Sequence, residues 1–142
     1  MPGAWQAGTT VGRYLLLAPI AEGGMAQIWL ARQTGVKGFE KLVVVKRMTD
    51  TLEADPEHVE MFLSEARLAA QLDHPHVVQV FELGEGFGAY YIAMEYLHGE
   101  NLSHIRKASV QRNQHLPDVL AAQIIAWAAE GLHYAHTRVG LD

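Results

Sequence analysis

The chain has 142 residues, a net charge of −5 with histidine neutral, 49% hydrophobic residues and no cysteine. That length is enough to bury one core, and the acidic balance, without any cluster of lysine and arginine, excludes the electrostatic footprint of a nucleic-acid binder. The lack of cysteine excludes a disulfide scaffold and a thiolate metal site, and it agrees with a reducing compartment, the cytoplasm.

In chain order, residues 1–10 are small and polar apart from Trp5 and read as a flexible leader. Arg13 precedes an apolar run, and Ala18-Pro19-Ile20-Ala21 imitates a cleavage site. The run is short, interrupted by proline and without a basic leader, so it is not a signal peptide. Tyr14 to Ile20 and Ile28-Trp29-Leu30 read as two strands joined by a turn at Gly23-Gly24, a pair that tolerates positive φ. Pro19 cannot donate a ladder hydrogen bond, which places the first strand at a sheet edge.

A polar connection, Gln33 to Lys41, leads to a strand at Leu42 to Met48. The unbroken Leu-Val-Val-Val run suggests a strand covered on both faces, where the charged Lys46 requires a partner. Asp55 as N-cap and Pro56 as first helical residue open a helix running to Leu72. At 100° per residue, Glu57, Glu60, Ser64, Arg67 and Gln71 gather on one polar arc, with Met61, Phe62, Leu68, Ala69 and Leu72 elsewhere. Glu65 falls among the apolar residues, about 120° from the centre of that arc, so its carboxylate is expected to face the protein. Burying either charge alone would cost several kcal/mol, roughly, so Lys46 and Glu65 are expected to pair.

Pro75 marks the end of that helix. Val77 to Leu83 and Ala89 to Leu97 are two further strands around Gly84-Glu85-Gly86-Phe87-Gly88, a turn suited to a hairpin. Leu116-Pro117-Asp118 opens a second long helix, Val119 to His136, apolar on most sides as a buried helix would be. Its most apolar stretch, Val119 to Ala129, carries Gln123 and falls short of the roughly 20 apolar residues that span a bilayer. His133 and His136 lie three apart on it, but with no third ligand in sight ordinary packing or capping is the better reading.

The glycine turn followed by a strand lysine bears on phosphates. Small residues let backbone N–H groups approach phosphate oxygens, and a lysine on the next strand reaches them as a point charge. A dinucleotide fingerprint would have to open a helix, whereas a strand follows Gly24, and a Walker loop needs a Gly-Lys-Ser/Thr triplet that occurs nowhere here. What remains resembles the glycine-rich loop and strand lysine of protein kinases, and the order glycine loop, Lys46, then Glu65 nineteen residues later is similar to the kinase N-lobe. His74-Pro75-His76-Val77-Val78 looks like the family's connection from helix αC into the next strand, and Met94-Glu95-Tyr96-Leu97 resembles its hinge.

On these motifs the chain is identified as a member of the bacterial Ser/Thr protein kinases of the eukaryotic-like type. The resemblance implies an α+β fold: a kinase N-lobe of a five-stranded antiparallel sheet plus helix αC, a hinge, and the first helices, αD and αE, of a truncated C-lobe. The division would be a leader at 1–10, N-lobe and hinge at 11–97, and the start of the C-lobe at 98–142. It implies ATP as cofactor, with Ile20, Ala21, Gly23, Gly24, Met25, Ala26, Ile28 and Val44 around it and Lys46 and Glu65 in the catalytic roles. Met94 would be the gatekeeper, the Glu95 carbonyl and the Leu97 backbone would read the adenine edge, and Asn101 would meet the ribose. Ala21 and Ala26 stand where the family's first and third glycines lie, and Val44 replaces a usual alanine, while Gly23 is kept.

No His-Arg-Asp triplet, metal-binding Asn or Asp-Phe-Gly motif occurs in these residues. The resemblance therefore implies that the Mg²⁺ ligands lie outside this chain, that the chain is the ATP-binding part of a kinase acting on a protein substrate, and that alone it is inactive. The ending, Thr137 to Asp142 directly after an apolar helix, favours a truncation. The alternative is a non-catalytic nucleotide-binding or interaction module.

Overall fold

A computed structural model describes residues 5–138. The chain divides into two units, one of Met1–Asp73 with Val78–Tyr96 and one of His74–Val77 with Leu97–Asp142. Residues 1–4 of the expected leader and residues 139–142 at the other end lie outside the described residues.

The first unit is a wholly antiparallel sheet with strands β1 (Thr10–Val11), β2 (Tyr14–Glu22), β3 (Ala26–Thr34), β4 (Glu40–Met48), β5 (Val80–Gly86) and β6 (Ala89–Glu95), in the spatial order β1-β2-β3-β4-β6-β5. Six strands stand where five were expected. The additional one, β1, has two residues, too few for any alternation to announce it. It covers β2 only at Leu15 and Tyr14, so Pro19 lies on the uncovered part of that strand's edge, where a missing N–H costs no ladder bond.

Strand β4 sits between β3 and β6, and its alternation divides the core. Val43 and Val45 join Tyr14, Leu16, Trp29, Ala31, Tyr91 and Ala93 on one face. Met48 joins Ile92 on the other, against Phe62 and Ala66 of the helix α2 (Pro56–Ala69). A four-residue helix, α1 (Asp50–Glu53), precedes α2. The expected N-cap is present: the Asp55 carboxylate accepts from the Glu57 N–H at 3.0 Å, and that bond, with His58 beside it, holds its carboxyl below the usual range. Helix α2 ends earlier than the expected Leu72, with Ala70 as its C-cap.

The described part of the leader is not loose. The Gly8 N–H donates to the Leu16 carbonyl and the Leu16 N–H to the Thr9 carbonyl, while Trp5 meets Tyr91 edge-on with centroids 6.1 Å apart. Tyr91 and Tyr14 are both fully inside, and each hydroxyl donates to the Glu82 carboxylate, at 3.5 and 2.8 Å; Arg13 pairs with the same group at 2.8 Å.

Burial, reinforced by Glu82, pushes the Tyr91 phenol up to about 12 and also raises Tyr14. The folded state thus holds these protons beyond the value of about 10 at which an unfolded tyrosine titrates. The stabilisation is complete below that pH and is lost as pH rises through about 12. The urea midpoint should fall over this window, and Tyr91→Phe should make the fall shallower; an equally steep fall in the variant would show that Tyr91 is not its source.

In the second unit, α3 (Leu102–Gln111) is capped by Asn101, and α4 runs Asp118–Thr137. The residues His74–Val77 lie against α4. The His74 ring stacks on Tyr134 at 5.0 Å, His76 lies over Trp127 at 5.4 Å, and His76 Nδ1 is 3.2 Å from a Glu130 carboxylate oxygen. Gly131 is needed at the crossing, since a Cβ there would stand 2.7 Å from the His76 carbonyl oxygen. This apolar helix leaves Val119, Leu120, Ile125, Trp127 and Leu132 exposed, and Gly131 is the buried residue of α4 among those described. Neither α4 nor any other helix among the described residues is long and apolar enough to cross a membrane.

Candidate functional site

Residues directly opposed on antiparallel strands project to the same face. In β3, β4 and β6 the register sets Ala26 opposite Met48, Ile28 opposite Lys46 and Lys46 opposite Ile92, with Val44 between Leu30 and Met94. Five of the expected site residues, Ala26, Ile28, Val44, Lys46 and Met94, therefore share one face of the sheet, the face that α2 packs upon. Ala21 adds to the row opposite Ile28, and Ile20 lies within a register shift between Pro19 and Ala21.

Lys46 Nζ lies 3.4 Å from Glu65 Oε1, and 6.0 Å from the centroid of the Phe62 ring one turn earlier on α2. The expected pair is thus within ion-pair reach. The expected burial of Glu65 is corrected: its side chain is 62% exposed, against 26% for Lys46. Only Phe62 and Ala66 of α2 are buried, so the helix offers the sheet a narrow stripe and Glu65 lies at its margin. A pair this wet contributes at most about 1 kcal/mol to stability. What the contact supplies is geometric: it sets the ammonium beside the Glu65 carboxylate. Lys46 and Glu65 also border a small cavity of ≈ 80 Å³ with Met25, Ala26, Met48 and Phe62. In the second unit a larger hollow of ≈ 420 Å³ runs along α3 beside Glu100, His104 and Arg112.

The turn between β2 and β3 is closed by the Gly23 N–H on the Ala26 carbonyl at 3.0 Å. Around Gly23 and Gly24 a Cβ would meet nothing within 4 Å, so the backbone lies open to an incoming group. Sequence reasoning missed Thr49. Its N–H donates to the Met25 carbonyl at 3.2 Å and its Oγ1 to the Gly24 carbonyl at 3.3 Å, binding the turn to the end of β4. A threonine directly before a helix is the ordinary signal of an N-cap, worth about 1 kcal/mol, and Thr49 stands at that position of α1 without making the capping bond.

Glu95 closes β6 onto Gln79: its N–H donates to the Gln79 carbonyl at 2.9 Å, and its carboxylate accepts from the Gln79 N–H at 3.0 Å. In the second unit Leu97 is exposed, and the Asn101 side-chain oxygen accepts from the His104 N–H at 2.9 Å as the cap of α3. Among the described residues, His133 and His136 included, no three His, Asp or Glu side chains gather where an ion could be held. None of them is assigned to Mg²⁺.

This arrangement, a lysine on a central strand, a glutamate reaching it from the packed helix and an open glycine turn above them, is that of a kinase N-lobe. The family model for the protein kinase domain matches residues 14–139, and the chain belongs to that family. It is 48% identical over 125 residues to the tyrosine-protein kinase MasK of Myxococcus xanthus, covering 88% of this chain and 19% of that protein. It is 34% identical over 125 residues to the serine/threonine-protein kinase PrkC of Bacillus subtilis, covering 88% of this chain and 18% of the other. The crystal structure of the Mycobacterium tuberculosis PknI kinase domain superposes with a TM-score of 0.73 at 28% identity, over 96% of this chain and 53% of that one. The chain thus spans about a fifth of the length of these two curated relatives and about half of the solved kinase domain.

Proposed function

We propose that this chain is the ATP-holding part of a protein kinase that passes the γ-phosphate of ATP to serine or threonine hydroxyls of a protein substrate. The observation that carries the reading is the Lys46–Glu65 pair at 3.4 Å on the face shared by Ala26, Ile28, Val44 and Met94. Lys46, held in place by Glu65, presents an ammonium to phosphate oxygens, and the bare backbone at Gly23 and Gly24 offers N–H groups with no side chain in the way. Bound ATP would supply the phosphoryl group. The chain's own residues contribute its alignment, the largest part of catalysis in phosphoryl transfer. The roles at the adenine and ribose given to Glu95, Leu97 and Asn101 rest on the family resemblance.

Serine or threonine as acceptor is supported by PrkC and by other relatives that carry the serine/threonine-protein kinase name, while MasK is named for tyrosine. Incubating the full-length protein with γ-labelled ATP and a general protein acceptor, then hydrolysing the product to its phosphoamino acids, separates the two. Phosphoserine or phosphothreonine is expected. Phosphotyrosine alone would reassign the acceptor, and ATP binding without any transfer would support the non-catalytic module.

A further inference from the structure

We propose that Thr49 is a positioning residue for the phosphate-facing turn, an inference that rests on the nucleotide reading above. One residue holds two successive carbonyls of that turn, Gly24 through its hydroxyl at 3.3 Å and Met25 through its backbone N–H at 3.2 Å. In a trans peptide the C=O and the following N–H point to opposite sides, and none of the described peptides is cis. Holding those two carbonyls toward Thr49 therefore turns the N–H groups of Met25 and Ala26 away from it. The residue thereby sets the direction of backbone donors on the loop that is to meet the phosphates.

Two further observations single out the hydroxyl. Thr49 occupies the N-cap position of α1 with the extended φ and ψ of a cap, −75° and 147°, yet makes no capping bond, so its Oγ1 is committed to the loop. Gly23 and Gly24 are also unsupported by side-chain packing, with nothing within 4 Å of either Cβ position, so the loop's conformation depends on its hydrogen bonds. Thr49 follows directly on β4, the strand that carries Lys46, so loop and lysine are held from one rigid element.

The test compares Thr49→Val, which keeps the shape and the backbone N–H but removes the hydroxyl, with Thr49→Ser, which restores it. In the full-length protein two readouts are taken: amide hydrogen exchange at residues 22–26 without nucleotide, and the Kd for Mg-ATP and for adenosine by calorimetry. Thr49→Val is expected to speed exchange at the loop and raise the Kd for ATP about three- to tenfold, the worth of one hydrogen bond, with adenosine unchanged and Thr49→Ser like the parent. Unchanged exchange would overturn the tether. Equal weakening of ATP and adenosine would overturn the positioning of phosphates in favour of a general structural role. If the parent binds no ATP, the nucleotide reading fails by itself, and the exchange measurement alone decides whether Thr49 holds the loop.

Discussion

Replacing Lys46 with methionine should lower phosphoryl transfer by the full-length protein by about a hundredfold or more, while shifting its unfolding free energy by less than about 1 kcal/mol. The structure makes the two effects separable. The stem of Lys46 occupies the row between Ile28 and Ile92, where an unbranched methionine fills nearly the same space. The ammonium alone is lost. Its partner Glu65 is 62% exposed, so the carboxylate left behind is solvated by water and not stranded in a core. Had Glu65 been buried, the same substitution would have cost several kcal/mol, of order, through an unpaired internal charge. Phosphotransfer rates and urea unfolding of the two proteins check both halves, and retained turnover would mean that another group anchors the phosphates.

Gly84→Ala should be the most damaging small substitution, destabilising by about 2–4 kcal/mol. In a strand this change ordinarily helps, since glycine carries extra entropy in the unfolded chain. Here the new methyl would stand 2.4 Å from Tyr91 Cζ and 2.5 Å from its hydroxyl. The ring has no room to retreat: Tyr91 is 2% exposed, Trp5 and Tyr14 meet it edge-on, and a Cβ at Gly12 would also lie 2.5 Å from its hydroxyl. Gly23→Ala provides the contrast, because its methyl meets nothing within 4 Å and stability should be unaffected. Thermal and urea unfolding of the two variants check the pair, and similar losses in both would show that Tyr91 is not the cause.

Much of this was legible in the residues. Five of the six strands and the α2 start could be read because alternation, the Gly23-Gly24 break and the Asp55-Pro56 cap are local signals, and the Lys46–Glu65 pair followed from placing two charges on apolar faces. The depth of Glu65 was not legible. Periodicity gives an angle around a helix but not the width of the stripe that is covered, and α2 buries only Phe62 and Ala66 while Met61 and Leu68 stay exposed. Trp5 was the one sign of a pinned leader, and it gained meaning only once Tyr91 was known to lie opposite. Thr49 was hidden by its own position, since a threonine before Asp50 reads as a cap, and its diversion to the Gly24 carbonyl depends on a loop 25 residues away. The stacking of His74 and His76 on α4 likewise joins segments that no local pattern connects.

That Lys46 faces the phosphates of bound ATP can be read from a covalent mark. An acyl-phosphate derivative of ATP transfers its acyl group to an amine held beside the phosphates, and digestion with mass spectrometry locates the modified lysine. The chain has four lysines, Lys37, Lys41, Lys46 and Lys107, so the answer is discrete. Lys46 should be acylated well above the other three, and excess Mg-ATP should suppress its labelling. Labelling spread over Lys37, Lys41 and Lys107 as strongly as over Lys46, and untouched by ATP, would contradict it.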